Sequence, residues 1–297
     1  MASFIFFGGN MEPLKTVVFV DGNNFKNNLQ AFHFYSRNQN SKWHNRYYAL
    51  DEKHFNWRSF FENVLKKYKG STGYDYRLIR VYWYSAASIR PFEPFDYLIQ
   101  NALDECHKKY PEMTAQQILQ CAEDWYKKEK GYFEIAKERI YRFIQRSYGF
   151  IEFKYTGEYV VKPFEVYNIE KNADGTFFYQ GKKEGEKGVD VGIAVDTIAK
   201  ITNYDVAILV SGDADFIPVV YHLKDALKYV YQFSIAQGIP PRIKYLSPFL
   251  KDVVDVFQYF DELELLRNYI NRSTVPRDIL ESIDRRIGQL SSTTIPP

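Results

Sequence analysis

Apolar runs alternate with amphipathic stretches along most of this chain. Continuous apolar segments predict buried strands at Thr16–Val20, Tyr76–Tyr84 and Val206–Val210. Between the first two, Phe55–Tyr68 carries apolar residues at helical spacing and predicts a helix. A repeated strand, helix, strand order is typical of α/β proteins with a mainly parallel sheet and helices on both faces.

The middle of the chain, from about residue 89 to 183, is longer than a minimal crossover between parallel strands requires. Thr114, three residues before Gln117, predicts a capped helix start. We therefore expect an inserted helical and β segment within the α/β domain. Its predicted helices are Pro94–Lys109, Thr114–Lys130 and Glu134–Ser147, and its predicted strands are Phe150–Tyr155, Val160–Ile169 and Thr176–Gln180.

The pattern resumes with a predicted helix at Asp190–Ile201, whose inward residues are expected to be Val191, Ala194, Val195 and Ile198. The following predicted elements are a helix from about Pro218 to Tyr229, a strand near Arg242–Leu246, and helices at Pro248–Phe257, Phe260–Asn271 and Val275–Ile287.

This pattern predicts that the chain is divided into three parts. Residues 1–15 are interpreted as a leader, from an expression vector or an upstream start, with Met11 opening the natural chain. Residues 16–265 form the α/β domain with its insertion. Residues 266–297 form a C-terminal helix and a tail, which we expect to fray from Ser291.

Composition narrows the functional classes only modestly. The 297 residues are 45% apolar, and the 39 basic and 37 acidic residues leave a net charge of +2, so a nucleic-acid surface would have to be local. Apolar runs stay short of the roughly 20 residues that span a bilayer. The two cysteines, Cys106 and Cys121, have neither metal-ligand spacing nor a paired framework, which favours a cytoplasmic location.

Acidic residues stand at the ends of three predicted elements. Asp21 follows a strand, Asp190 begins a helix, and Asp213 and Asp215 follow the strand Val206–Val210. Sites in α/β sheets lie beyond the carboxyl ends of parallel strands, and carboxylates hold hard cations. Each residue also has a structural interpretation: turn chemistry at Asp21, a helix cap at Asp190, and a solvated turn at the last two.

Three segments carry a family resemblance. Val18–Asn24, Lys187–Asp196 and Val210–Val219 resemble the signature blocks of the NYN domain family, in its LabA-like bacterial branch, which is related to PIN-domain ribonucleases. Tyr245–Phe257 is similar to the closing segment of that family. The resemblance covers about Thr16–Leu263, and the order of the blocks makes it specific.

The resemblance implies a Rossmann-like domain that cleaves RNA with a divalent metal, Mg²⁺ or Mn²⁺. By position, its metal-binding and catalytic acids would be Asp21, Asp190, Asp213 and Asp215. The supporting residues would be Asn23, Asn24, Ser211, Asp196 and Lys187. Asp196 lies about 9 Å along the helix axis from Asp190 and is rotated about 240° from it, so the two acids cannot readily bind the same metal ion. An ion pair with Lys200 explains Asp196 equally well.

Basic residues on one predicted helix offer a candidate RNA-binding face. Arg139, Arg142 and Arg146 are spaced i, i+3, i+7 and would share a face of a regular α-helix. They could bind the backbone of single-stranded or looped RNA, or form a solvated surface balanced by Glu134 and Glu138. Homo-oligomerisation is left open.

Two other functions fit parts of the sequence. The first is a catalytically weak NYN-like module that binds RNA or a protein and regulates it. The second is a different metal-dependent phosphohydrolase, such as a haloacid-dehalogenase type enzyme with Asp21 as nucleophile. Such enzymes carry an Asp two residues after the nucleophile, where this chain has Asn23.

Overall fold

A computed structural model describes residues 12–29, 32–35 and 47–293. Within these ranges the strands are β1 (Leu14–Asp21), β2 (His33–Tyr35), β3 (Tyr47–Ala49), β4 (Tyr76–Ser85), β5 (Ser88–Ile89), β6 (Ile151–Tyr155), β7 (Glu158–Lys171), β8 (Phe177–Lys187), β9 (Val206–Val210), β10 (Tyr229–Ile235) and β11 (Val256–Phe260). The α-helices are α1 (Gly22–Leu29), α2 (Trp57–Thr72), α3 (Asp96–His107), α4 (Ala115–Ile135), α5 (Arg142–Ser147), α6 (Val189–Ala199), α7 (Ile217–Asp225), α8 (Pro248–Val253), α9 (Glu262–Asn268) and α10 (Arg277–Thr293).

The main sheet has six strands in the order β11-β10-β9-β1-β4-β6. Strands β1, β9, β10 and β11 run parallel to their neighbours in this series. Helices separate these strands along the chain, as parallel neighbours require. This arrangement confirms the predicted α/β fold with a mainly parallel sheet flanked by helices.

The chain divides into two compact units. The first comprises residues up to 20, residues 24–82 and residues from 196 onward, and it contains β1, β9, β10 and β11. Every residue of β9 is buried, as is β1 from Thr16. These strands are runs of β-branched and large apolar residues, which suit a strand that is covered on both faces.

The second unit comprises residues 21–23 and 83–195 and contains the predicted insertion. Its three-stranded sheet has the order β5-β7-β8, with β7 and β8 antiparallel. Helices α3 and α4 pack on β7 and β8 over a separate hydrophobic core. The buried residues of that core are Ile89, Ala102, Cys106, Met113, Ile118, Ala122, Trp125, Val161, Phe164, Ile169 and Tyr179.

The predicted start of α4 is confirmed in atomic detail. The Thr114 hydroxyl accepts a hydrogen bond from the Gln117 main-chain N–H at 3.3 Å, and the Gln117 side chain accepts one from the Thr114 N–H at 2.8 Å. This reciprocal pair satisfies two donors that a helix start leaves open. Such a cap depends only on neighbours in sequence, which is why it could be predicted.

The predicted inward face of α6 is wrong. Val191 and Val195 are 65% and 60% exposed, and Ile198 is also exposed, whereas Val189 and Ile193 are buried together with Thr197. Helix α6 carries apolar residues on two faces, and hydrophobic periodicity alone cannot choose between two apolar faces. The buried face is the one with i, i+4, i+8 spacing.

The predicted elements after α7 also need correction. The helix expected to reach Tyr229 ends at Asp225, Tyr229 begins β10, and Leu227 between them has a left-handed φ of 59°. Residues 242–246 form a loop, and β11 occupies a stretch predicted to be the junction of two helices. Strand-forming residues in β10 and β11, chiefly aromatic and β-branched, explain why they pair in the sheet.

The ends of the chain differ in part from their predicted boundaries. Strand β1 begins at Leu14, inside the predicted leader, while residues 1–11 lie outside the described residues. Helix α10 continues to Thr293 and so includes Ser291, where fraying was expected. Within the described ranges, no helix combines the length and apolar character needed to cross a bilayer.

Candidate functional site

The carboxyl ends of two adjacent parallel strands define the candidate site. Val20 of β1 lies opposite Val210 of β9 in the sheet register. Asp21 is the next residue after Val20, and Ser211 is the next residue after Val210. Strand β9 therefore delivers the segment Ser211–Asp215 to the sheet edge where α/β proteins place their ligands.

Local hydrogen bonds shape the turn that follows β9. The Asp213 main-chain N–H donates to the Ser211 Oγ at 3.2 Å, and the Asp215 N–H donates to the Asp213 Oδ1 at 3.0 Å. Asp213 thus caps the short 3₁₀ turn that leads into α7. One carboxylate oxygen of Asp213 serves this cap, which leaves the other for a ligand. Asp215 itself is exposed.

The turn is held from both sides. The Ser247 N–H donates to the Gly212 carbonyl at 2.7 Å, and the Gln232 side-chain Nε2 donates to the Ser211 carbonyl at 2.8 Å. A Cβ at position 212 would lie 1.7 Å from the Tyr245 carbonyl oxygen, so only glycine fits here. The loop of residues 242–247 packs against this turn, and its residues 242–246 were wrongly predicted to be a strand.

We expect Gly212→Ala to destabilise the protein by about 3 kcal/mol, because the added methyl group meets main-chain atoms that cannot rotate away. Urea unfolding measures the effect. Gly70→Ala in α2 is the matched control, since nothing lies within 4 Å of its Cβ position. Helix propensity should make that control more stable by about 0.5–1 kcal/mol. Equal stabilities for the two variants would contradict the close approach at Gly212.

Asp21 and Asp190 belong to the second unit. Asp21 is only 6% exposed at the end of β1, and Asp190 lies partly buried in the first turn of α6. Gly22 allows the chain to pass Tyr84, because a Cβ there would lie 2.3 Å from the Tyr84 carbonyl oxygen. Gly22 is therefore required by this close approach at the start of α1, and Asp21 lies at the end of β1.

Glu186 braces the end of β8, four residues before Asp190. Its Oε1 accepts hydrogen bonds from the Ser85 Oγ at 3.0 Å and the Ala86 N–H at 2.8 Å. These bonds connect β8 to the end of β4 just before the turn into α6. The sequence carries no signal of this structural role, because the partners of Glu186 lie about 100 residues away along the chain.

Two supporting residues have contacts that bear on their predicted roles, and the exposure of a third is known. The Asp196 carboxylate pairs with the Lys200 Nζ at 2.7 Å, as its structural interpretation predicts. The Asn24 Oδ1 accepts a hydrogen bond from the Asn28 Nδ2 at 3.2 Å. Lys187 is exposed at the end of β8.

The arginines of the predicted RNA face are all exposed, but their alignment does not follow from α-helical spacing. Residues 136–141 form a π-helical turn that contains Arg139 and ends just before Arg142. A π turn has more residues per turn than an α-helix, so each residue advances by a smaller angle and positions i, i+3 and i+7 no longer fall on one face. Arg142 also pairs with Glu138 at 3.9 Å, one of the two acids expected to balance this surface.

Among the described residues, no three His, Cys, Asp or Glu side chains are grouped so that they could hold a metal ion. Mg²⁺ commonly needs no such cage, because it binds through one or two carboxylates and keeps several waters and substrate phosphate oxygens. The carboxylates of Asp213 and Asp215 fit that kind of site. Asp213 uses only its Oδ1 to cap the 3₁₀ turn, so its other oxygen can bind an ion.

Comparison with known protein families bears on the matched part of the chain. The NYN domain model matches residues 160–261, roughly one third of the sequence. Residues 160–261 are similar to the NYN domain. The match includes Asp190, Asp213 and Asp215, whereas Asp21 precedes it. The NYN family belongs to the PIN-like superfamily and is generally nuclease-like, which supports a nuclease-type hydrolase.

Comparisons with curated proteins and with solved structures support no further conclusion. No curated protein has a significant sequence match to this chain. A crystal structure of a protein of unknown function from Vibrio parahaemolyticus is 18% identical, covers 84% of this chain and 94% of its own, and superposes with a TM-score of 0.41. That likeness is too weak to carry an argument.

Proposed function

We propose that this protein is a divalent-metal-dependent endoribonuclease that hydrolyses RNA phosphodiester bonds. The observation that carries the proposal is the turn after β9, where Asp213 and Asp215 follow a fully buried strand within an NYN match. Acids at such a strand end are placed where α/β sheets bind ligands. The nuclease-like character of the NYN family supplies the reaction class.

The proposed catalytic and metal-binding acids are Asp21, Asp190, Asp213 and Asp215. A bound Mg²⁺ or Mn²⁺ would lower the pKa of an attacking water and stabilise the leaving oxygen. Asp213 is suited to hold such an ion while it shapes the turn, because only one of its oxygens is used by the cap. Asn23 and Ser211 are proposed to orient the acids or the substrate, with lesser roles for Asn24, Asp196 and Lys187.

RNA cleavage by the purified protein is the test that separates the alternatives. A labelled single-stranded RNA with Mn²⁺ should yield internal fragments, and a DNA of the same sequence should be cut more slowly. RNA binding without cleavage would favour the regulatory module. Phosphate release from phosphomonoesters without RNA cleavage would favour the second phosphohydrolase alternative. Either result would overturn the proposal.

The exposed arginines give a separate prediction about binding. We expect the triple change Arg139→Ala, Arg142→Ala, Arg146→Ala to weaken RNA affinity and flatten its salt dependence, by about 0.7 log units of slope for each lost phosphate contact. The measurement is RNA affinity across a salt series. Removing the exposed lysines Lys127, Lys128 and Lys130 of α4 is the charge-matched control. Equal slopes in the two triple variants would assign the arginines to a solvated surface.

The proposed substrate and location follow from the same features. We propose single-stranded or looped RNA as the partner, because an unpaired strand could reach the exposed Asp215 and the partly buried Asp213 beyond the end of β9. Both cysteines are free thiols, in line with the proposed cytoplasmic location.

A further inference from the structure

Gln232 is an anomaly in strand β10. It lies between the buried residues Tyr231 and Phe233, and it is itself fully buried at 0% exposure. The central strands of a parallel sheet normally carry apolar residues, because a buried amide loses its bonds to water. The presence of a glutamine at this buried position therefore requires a structural or functional explanation.

The side chain of Gln232 acts where the main-chain pairing of β9 with β10 ends. That pairing runs from Val206 opposite Tyr229 to Leu209 opposite Gln232. Two residues beyond Leu209, the Ser211 carbonyl accepts the Gln232 Nε2 at 2.8 Å. The side-chain amide therefore supplies a hydrogen bond that fixes the peptide group at the start of the Ser211–Asp215 turn.

The position of Gln232 is itself fixed from the other side. The Tyr68 hydroxyl of α2 donates to the Gln232 main-chain carbonyl at 2.6 Å. Burial raises the pKa of Tyr68 well above its ordinary value of 10, so the hydroxyl stays protonated and remains a donor. The amide thus reaches Ser211 from a strand position that cannot shift easily.

A continuous series of hydrogen bonds connects Gln232 to the acids. The amide fixes the Ser211 carbonyl, the Ser211 Oγ accepts the Asp213 N–H, and the Asp213 Oδ1 accepts the Asp215 N–H. Rotation of the peptide group after Ser211 would change the direction of the Asp213 side chain. Gln232 therefore controls the directions in which the Asp213 and Asp215 carboxylates point. Those directions matter if the carboxylates bind a metal or a substrate.

Stability alone does not explain the glutamine. Its Oε1 is buried and has no hydrogen-bond partner among the described residues. A buried acceptor without a partner is destabilising, and it offsets the stability that the Gln232 side chain gains from its bond to the Ser211 carbonyl. A residue that carries such a cost beside candidate catalytic groups indicates a functional constraint.

We propose that Gln232 is a positioning residue of the candidate active site, which holds the Ser211–Asp215 turn so that Asp213 and Asp215 present their carboxylates to the metal and the RNA phosphate. This role rests on the proposed function. Gln232 touches neither substrate nor metal in this assignment, and acts through the Ser211 carbonyl.

The test compares Gln232→Met with Tyr68→Phe. Methionine keeps the length of the side chain and removes its donor, whereas Tyr68→Phe removes the hydrogen bond to the main chain of the same residue and leaves the amide in place. Three quantities are measured for each variant: the urea unfolding midpoint, amide hydrogen exchange of residues 211–216, and Mn²⁺ affinity by calorimetry. RNA cleavage is followed as kcat and KM.

We expect Gln232→Met to leave the unfolding midpoint close to that of the wild type, because losing the unpaired Oε1 offsets losing the bond to the Ser211 carbonyl. Amide exchange at Asp213 and Asp215 should become on the order of tenfold faster. Mn²⁺ affinity and kcat should fall by about tenfold, and KM for RNA should stay unchanged. Tyr68→Phe should lower the midpoint and leave exchange in the turn unchanged, because the pairing of β10 with β9 and β11 still holds Gln232 in place.

Unchanged exchange in the turn of Gln232→Met would overturn the role of Gln232. A loss of activity that merely follows the loss of stability in both variants would also overturn it. A wild-type protein that neither binds Mn²⁺ nor cleaves RNA would instead overturn the proposed function. The hydrogen-exchange result does not depend on activity, so the two failures are distinguishable.

Discussion

Asp213→Asn should reduce RNA cleavage by on the order of a hundredfold or more, with stability within about 0.5 kcal/mol of wild type. The substitution removes the negative charge that would hold the metal. The asparagine Oδ1 can still accept the hydrogen bond from the Asp215 N–H, so the helix cap should survive. Single-turnover cleavage and urea unfolding measure the two effects separately.

Two further variants show whether the loss of cleavage is due to the charge of Asp213. Asp225→Asn removes the same charge from an exposed position at the far end of α7 and should cleave RNA normally. Asp213→Ala removes both charge and cap, and should lose about 1 kcal/mol of stability in addition to activity. Normal cleavage by Asp213→Asn would show that the acid is only a helix cap.

Removing divalent metal should abolish cleavage completely and reversibly. The candidate acids are carboxylates, which suit a cation that activates water, so attack on an anionic phosphate is expected to depend on that cation. Excess chelator should stop cleavage, and Mg²⁺ or Mn²⁺ added above the chelator concentration should restore it. Chelator already saturated with Mg²⁺ is the control for nonspecific inhibition. Cleavage at the full rate in excess free chelator would contradict metal catalysis.

Much of the fold could be predicted because its signals are local. The apolar runs of β1 and β9 are long enough to identify buried strands, and the Thr114–Gln117 cap involves neighbours in sequence. The end of α7 could not be predicted in the same way. Leu227 adopts a left-handed conformation, which glycine or asparagine usually provides at a helix end, so its residue type does not indicate that the helix ends there.

The candidate site could be predicted in part. Asp213 and Asp215 were identified because they follow a buried strand directly. The contacts that hold them depend on tertiary structure. Gln232 comes from a strand that was not predicted, and the Tyr245 carbonyl comes from a loop that was predicted to be a strand. A polar residue inside an aromatic run was the signal for Gln232, and it becomes informative only once β10 is assigned.

The exposed apolar face of α6 shows a related limit. Its valines and isoleucine read as core residues, yet the helix buries its other face, including Thr197, whose carbonyl accepts a hydrogen bond from the Tyr204 hydroxyl at 2.7 Å. Burial favours the face that fits its neighbours, and those neighbours are distant in sequence.

A crystal structure with Mn²⁺ located by anomalous scattering tests the central claim most directly. We expect an ion coordinated by Asp213 or Asp215 together with at least one other of the four proposed acids. Paired catalytic metal ions lie about 4 Å apart, so a carboxylate of Asp190 more than about 10 Å from the others could not share such a site. That separation, or Mn²⁺ bound only at other positions, would contradict the site as proposed.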